Sequence, residues 1–266
     1  MSLHVDVRGR GPALVLLHGW ALHGETWGPW VDALESHARL HIVDLPGHGH
    51  SEWPDGATRL SDFAQLIDRH VPREAVLLGW SLGGMVAMEL ARLRGRRVPA
   101  LVLIATTPKF VADDGWPHGV TAGLLADFAG RLRDDYHRTV QNFLALQTRG
   151  DEHALAAFRE LRHRLARRPA PARAALDTGL AMLHGTDLRG AVGAITAPAL
   201  VISGEHDRLT PAGAGQWLAA SLPEARHHLV RGAAHATFLS HADEVLATVL
   251  RFLSGLVTPG AAEVSS

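Results

Sequence analysis

Leu77-Leu78-Gly79-Trp80-Ser81-Leu82-Gly83-Gly84 is the stretch on which the reading of this chain turns. An apolar run at 75–78 enters a Gly-x-Ser-x-Gly pentapeptide, and a run with helical apolar spacing at 85–93 leaves it. Strand, sharp turn and helix in that order form the setting in which this pentapeptide holds a serine hydroxyl out at a strand tip as a nucleophile. So sharp a turn leaves no room for side chains two residues either side of Ser81, which is why glycine stands at 79 and 83. Alone, the pentapeptide fits a serine in a glycine-rich loop equally well, so the rest of the chain must supply the partners.

Working outward, short apolar runs and helical patterns alternate on both sides of this stretch. Runs at 13–17, 40–43, 75–78 and 101–104 read as buried strands, and the patterns at 27–34, 63–67 and 85–93 as the helices between them. Ser61 and Asp62 read as the start of the second of these helices, and Pro72 as its stop. Such alternation predicts an α/β fold with a mostly parallel central sheet covered by helices on both faces. It stops after Pro108. From 109 to 184 only helical patterns occur, at 122–132, 135–146, 153–167 and 174–183. An all-helical insertion there is expected to lie as a lid over the C-terminal edge of the sheet, where open α/β sheets bind ligands. The alternation resumes with strands at 198–203 and 227–230 and helices at 216–222 and up to about 253, the last capped by Ser240. The core is thus expected at 1–108 and 185–255, the lid at 109–184 and a flexible tail at 256–266.

Composition narrows the chemistry. The chain has 266 residues, a formal net charge of -1 and no cysteine, which excludes disulfides, thiolate metal sites and a cysteine nucleophile. No signal peptide is expected from the opening six residues, and no run reaches the roughly eighteen apolar residues of a membrane span. A cytoplasmic chain without nucleic-acid or membrane partners is the expectation.

A serine at neutral pH needs a base within hydrogen-bond reach, and the base needs an orienting acid. Both must stand at strand ends on the edge that carries Ser81. His235 follows the last strand in a loop of small residues, and Asp207 follows the strand before it, with Glu205 as the weaker alternative. The strand at 101–104 ends in Ala105-Thr106-Thr107, with no carboxylate. Ser81, Asp207 and His235 therefore form the candidate catalytic set. The oxyanion formed by attack needs two backbone donors; Leu82, at a helix N-terminus, and Trp20, in the loop after the first strand, are the candidates. His48 and His50 resemble a metal pair but lack further ligands in register, so no metal and no cofactor are expected. His18 reads as a residue that shapes its loop.

These residues make the chain resemble the α/β-hydrolase superfamily, and within it the pimeloyl-[acyl-carrier protein] methyl ester esterases of biotin biosynthesis. The likeness spans about 11–253. It rests on Leu16-Leu17-His18-Gly19-Trp20, Val43-Asp44-Leu45-Pro46-Gly47, the stretch around Ser81, Phe143-Leu144-Ala145-Leu146-Gln147-Thr148 and Ala233-Ala234-His235-Ala236. The resemblance implies a serine carboxylesterase that frees the far carboxylate of a seven-carbon acyl chain and leaves the thioester to its carrier intact. It also implies an acyl slot built from Trp20, Trp80, Leu82 and Phe143, with Trp116 as a further candidate, and an acyl carrier protein docked on basic lid helices. Between 138 and 173 stand eight arginines against three acids. Arg138, Arg159 and Arg162 are the docking candidates, whereas Asn142 and Leu155 occupy positions where the resemblance implies basic residues. The protein is expected to act as a monomer. Three other readings remain open: a general carboxylesterase or carbon-carbon bond hydrolase on free small molecules, a haloperoxidase-like activity of the same site, and a receptor-like ligand-binding homologue.

Overall fold

The computed structural model describes residues 2–54 and 56–256; the expected tail, from 257 on, lies outside the described residues. Seven strands form one sheet: β1 (Val5–Arg8), β2 (Ala13–Leu17), β3 (Arg39–Val43), β4 (Val76–Trp80), β5 (Leu101–Ile104), β6 (Ala199–Gly204) and β7 (Ala225–Val230). Their spatial order is β1-β3-β2-β4-β5-β6-β7, all parallel except the β1–β3 pair. β1 is an edge strand that the sequence reading left out. Its Val5-Asp6-Val7-Arg8 alternates apolar and polar residues over only four positions, and its last two residues are exposed.

The helices are α1 (Pro29–Leu34), α2 (Leu60–Asp68), α3 (Leu82–Arg94), α4 (Ala122–Asp134), α5 (Tyr136–Gln147), α6 (Ala154–Leu165), α7 (Arg173–Gly185), α8 (Ala212–Ser221), α9 (Thr237–Ser240) and α10 (Ala242–Gly255). Alternation along the strands sorts the core into two layers. Leu77 of β4 and Val15 and Leu17 of β2 face a layer with Phe63 and Ile67 of α2 and Met85 and Val86 of α3. Leu78 and Trp80 of β4 and Leu14 and Leu16 of β2 face the opposite layer, with Trp30 of α1, Phe238 of α9 and Val249 of α10.

Two boundaries differ from the sequence expectation for local reasons. α2 begins one residue before Ser61, with Arg59 at its N-cap, because the Asp62 carboxylate reaches back to the Thr58 and Arg59 amides. Ser240 does not cap the last helix. Its hydroxyl bonds the Ala236 carbonyl and the His241 ring, and His241 takes the N-cap position of α10.

Between β5 and β6 the chain runs through α4 to α7. Two polar contacts seat this helical stretch on the C-terminal ends of the strands. Trp20, after β2, donates its indole N–H to the Leu176 carbonyl of α7 at 3.0 Å. The Gln147 carbonyl, at the end of α5, accepts the His235 and Ala236 amides at 3.0 and 3.4 Å. A third tie is ionic. Arg168, between α6 and α7, bonds the buried Asp44 carboxylate at 2.6 Å and Glu25 at 3.3 Å. Among the described residues, no helix is long and apolar enough to cross a membrane.

Candidate active site

Ser81 occupies the turn between β4 and α3 with φ 56° and ψ -120°, a backbone conformation that non-glycine residues rarely adopt. Surrounding contacts over-determine it. The Ser81 amide donates to Ile104, and its carbonyl accepts the Gly84 amide and the Thr106 hydroxyl, at 3.0, 2.9 and 2.7 Å. The glycines are a matter of space: a Cβ at Gly79 would stand 2.4 Å from the Gly83 carbonyl oxygen, and one at Gly83 would stand 2.2 Å from that of Leu17. Strain held in place by its neighbours is characteristic of functional turns.

His235 and Asp207 meet at the ends of β7 and β6. The imidazole Nδ1 is 2.8 Å from Asp207 Oδ2, and the two side chains are almost wholly buried. Asp207 is fixed from every side. Its Oδ1 accepts the Leu209 and Thr210 amides at 2.8 and 2.9 Å, and its Oδ2 also accepts the Thr210 hydroxyl at 2.7 Å. Because a carboxylate only accepts, Nδ1 carries the proton and Nε2 keeps its lone pair. Glu205, the alternative acid, is exposed and bonds the Gly232 amide instead. No hydrogen bond joins Ser81 to His235 among the described residues, the looser geometry common in unliganded sites.

The two candidate oxyanion donors flank the serine. Neither the Trp20 nor the Leu82 amide donates to another group among the described residues, and Leu82 opens the 13-residue helix α3. Gly19 packs against Ser81, a Cβ there lying 3.4 Å from the serine Cβ. His18 sets this loop: its Nδ1–H donates to the Gly19 carbonyl at 2.7 Å and its Nε2 accepts the Leu45 amide at 2.9 Å. Burial, aided by neighbouring His48, pushes the His18 pKa down to about 3, and burial pushes His48 down to about 4. Both rings are therefore neutral at pH 7. Asp44 lies beside them. Burial works to raise its carboxyl, but His18, the His50 and Gly24 amides and Arg168 outweigh it and hold the group below the usual carboxylate range.

Trp20, Leu82 and Phe143 come together. The Trp20 and Phe143 rings cross edge to face at 4.9 Å, and a Cβ at Gly179 would meet Trp20 at 2.5 Å and Leu82 at 3.6 Å. Beside them an apolar slot lined by Trp20, Phe110, Phe128, Phe143, Leu180 and Leu209, among others, encloses about 20 Å³, space for about one water. Larger hollows of about 500 and 680 Å³ lie around Arg8, Glu25 and Arg168, and around Leu14, Leu250 and Leu256; Ser81 lines none of the three.

Trp80 corrects the sequence expectation. On β4 it shares the face of Val76 and Leu78, so its ring enters the layer opposite Trp20 and Phe143. There it meets Phe238 edge to face at 4.8 Å, lies 5.6 Å from the His235 ring, and donates its indole N–H to the His235 carbonyl at 3.1 Å. It supports the histidine and does not line the slot. Trp116 is also elsewhere, against His118 and Trp217.

The arginine excess divides in the same way. Arg164 and Arg173 pair with Glu160 and Asp177 on their own helices and also reach the Glu25 and Leu132 carbonyls, and Arg167 and Arg168 reach Glu25 and Asp44, so these four tie the helices to their neighbours. Arg138, Arg159 and Arg162 are exposed on α5 and α6, with Arg162 over the Phe158 ring. Among the described residues these three have no acidic partner. Sequence reasoning missed three contributors to the site. Thr210 braces Asp207; Asp151 accepts the Ala234 amide at 2.8 Å; and Gln147 has a buried side-chain amide with neither its nitrogen nor its oxygen partnered. The first two carry no motif, and Gln147 was visible only as part of the Phe143–Thr148 run.

A second serine-histidine contact, Ser203 Oγ to His227 Nε2 at 3.1 Å, has no carboxylate on the other ring nitrogen among the described residues, and a Cβ at Gly215 of α8 would stand 2.0 Å from Ser203 Oγ. It is a packing contact within the sheet layer.

Comparison with known proteins agrees with this architecture. The family model for the alpha/beta hydrolase fold matches residues 12–242. The pimeloyl-[acyl-carrier protein] methyl ester esterase of Xanthomonas campestris pv. campestris (strain B100) is 44% identical over 254 residues, covering 96% of this chain and 100% of that one. Its counterpart in Stenotrophomonas maltophilia (strain K279a) is 44% identical, covering 96% and 97%. Among solved structures, an esterase from Exiguobacterium antarcticum superposes with a TM-score of 0.85 at 21% identity over 95% of both chains, a likeness of fold. The chain belongs to the α/β-hydrolase fold family.

Proposed function

We propose that this protein is a serine carboxylesterase that hydrolyses the methyl ester of a pimeloyl group carried on acyl carrier protein, releasing methanol and the free terminal carboxylate. The chemistry rests on one observation above the others: a buried Asp207–His235 pair, held at 2.8 Å, stands on the same sheet edge as a strained Ser81. The substrate reading is supported by relatives 44% identical over nearly the whole chain that carry this name.

In the proposed mechanism Ser81 Oγ attacks the ester carbonyl while His235 Nε2 takes its proton. The Trp20 and Leu82 amides receive the developing oxyanion, and Asp207 holds the imidazolium and its tautomer. Collapse of the tetrahedral adduct expels methoxide, which leaves as methanol with the proton from His235. Water, deprotonated by the same ring, then cleaves the acyl-serine bond and regenerates Ser81. No step calls on a cofactor.

The acyl chain occupies the Trp20, Leu82 and Phe143 slot. Because the apolar slot beside these residues, lined by Trp20 and Phe143, encloses only about 20 Å³, residues 109–184 must act as a lid whose helices part to admit seven carbons. Arg138, Arg159 and Arg162, exposed on that lid, meet the acidic carrier. The protein works as a cytoplasmic monomer.

The test is genetic. The gene should restore growth without biotin to a strain lacking the esterase, and Ser81→Ala, with an unchanged unfolding midpoint, should not. Failure of the unaltered gene, or rescue by Ser81→Ala, overturns the reading.

A further inference from the structure

Six residues beyond His235, at the junction of α9 and α10, His241 meets Glu152 and His153 from the segment before α6. One ligand atom from each of the three side chains lies within 4.8 Å of the others. His241 Nε2 is 3.1 Å from Glu152 Oε1, and the two imidazole rings are 5.1 Å apart.

Ser240 Oγ lies 2.9 Å from His241 Nδ1 and 3.4 Å from the Ala236 carbonyl oxygen. Nδ1 is thus held by a hydroxyl while Nε2 faces the Glu152 carboxylate, so a cation taking the Nε2 lone pair would leave Nδ1–H to donate to Ser240 Oγ, an outer hydrogen bond of the kind that orients a metal-binding imidazole. The backbone makes room for the third ligand. Gly232 has φ 69°, a backbone conformation that favours glycine, and without a Cβ it leaves room for the Glu152 carboxylate, whose Oε1 would lie 2.4 Å from one.

We infer that Glu152, His153 and His241 form a binding site for a divalent cation of the zinc class. Two imidazoles and one carboxylate suit zinc and its borderline neighbours, whereas magnesium and calcium prefer oxygen ligands throughout. Zinc ligands at about 2.0–2.1 Å from the metal leave a fourth position for water, and small rotations of the exposed Glu152 and His153 side chains close the present spacing.

The site joins two segments that matter for the reaction. Asp151, adjacent to the ligands, accepts the His153 amide through one oxygen and the Ala234 amide through the other, both at 2.8 Å. The Glu152 amide donates to the Gly232 carbonyl at 3.2 Å. A cation held here pins the α5–α6 connection to the α9–α10 junction, one short helix beyond the loop that carries His235.

The experiment uses the full chain, stripped with chelator and titrated calorimetrically with zinc chloride, with magnesium chloride as the comparison. The expected result is one zinc per chain. His153→Ala and Glu152→Gln, both at exposed positions, should weaken binding about tenfold or more. Zinc should also raise the thermal unfolding midpoint of the unaltered protein and leave that of His153→Ala in place. Equal zinc affinity in the unaltered and His153→Ala proteins would overturn the inference, because uptake would then belong to other histidines, and so would an absence of binding.

Discussion

Replacing Asp207 by asparagine probes the proposed catalytic set with the least change of shape. The carboxylate accepts four hydrogen bonds, two amides at Oδ1 and the Thr210 hydroxyl and His235 ring at Oδ2. An asparagine can enter in two ways. With its oxygen toward His235, its NH2 confronts the Leu209 and Thr210 amides, and two buried donors are left unpaired at about 1–3 kcal/mol each. With its oxygen toward the amides, those bonds survive and the NH2 donates to Thr210 Oγ1, whose hydroxyl can rotate. The second arrangement wins by several kcal/mol. It also presents a donor to His235 Nδ1, which must become an acceptor and send its proton to Nε2. That is the nitrogen that has to receive the Ser81 proton, so the base is disabled in an intact site. The loss expected for a wrong-tautomer histidine is about 10⁴ in kcat, roughly 5.5 kcal/mol of barrier. Steady-state hydrolysis of a short methyl ester measures it, with thermal unfolding as the control for folding. Retention of kcat within tenfold would refute the assignment of Asp207 as the orienting acid.

Two further predictions address other parts of the account. Trp80→Phe removes the indole bond to the His235 carbonyl and leaves the slot untouched, so kcat should fall about fivefold, the worth of one hydrogen bond, with KM unchanged; a raised KM at constant kcat would return Trp80 to the acyl slot. The buried neutral rings of His18 and His48, held at about 3 and 4, make stability depend on pH. With folded values below the unfolded 6.5, the full stability is present above pH 6.5 and falls as the unfolded chain takes up protons, levelling off only near the folded values. Each ring should cost about 2 kcal/mol at pH 5, and urea unfolding at pH 7 and 5 should show a shallower loss in His48→Asn than in the unaltered protein; equal losses would contradict the role given to His48.

The parts of this molecule visible in its sequence are those fixed by local rules. The strand-turn-helix around Ser81 is spelled out because so sharp a turn tolerates only glycine at 79 and 83, and the open α/β sheet follows from apolar runs spaced by helices. The positions of Asp207 and His235 followed because each stands one loop beyond a recognisable strand. What escaped depends on where side chains point across the fold. The face that Trp80 takes is set by the register of β4, which a motif does not encode. Arg164, Arg167 and Arg168 looked like surface charge until the fold brought Glu25 and Asp44 beneath them. Edge strand β1 was too short for its alternation to register, and the bracing by Thr210, Asp151 and Gln147 joins residues far apart in the chain.

The carrier-bound ester is the central claim, and one comparison tests it most directly: kcat/KM for the pimeloyl methyl ester on acyl carrier protein against that for a free methyl ester of equal chain length. The account predicts an advantage of more than about tenfold for the carrier form, roughly 1.4 kcal/mol or more, lost when Arg138, Arg159 and Arg162 are changed together to glutamate while hydrolysis of the free ester is unaffected. Equal values for the two substrates in the unaltered protein would contradict it and favour a general esterase.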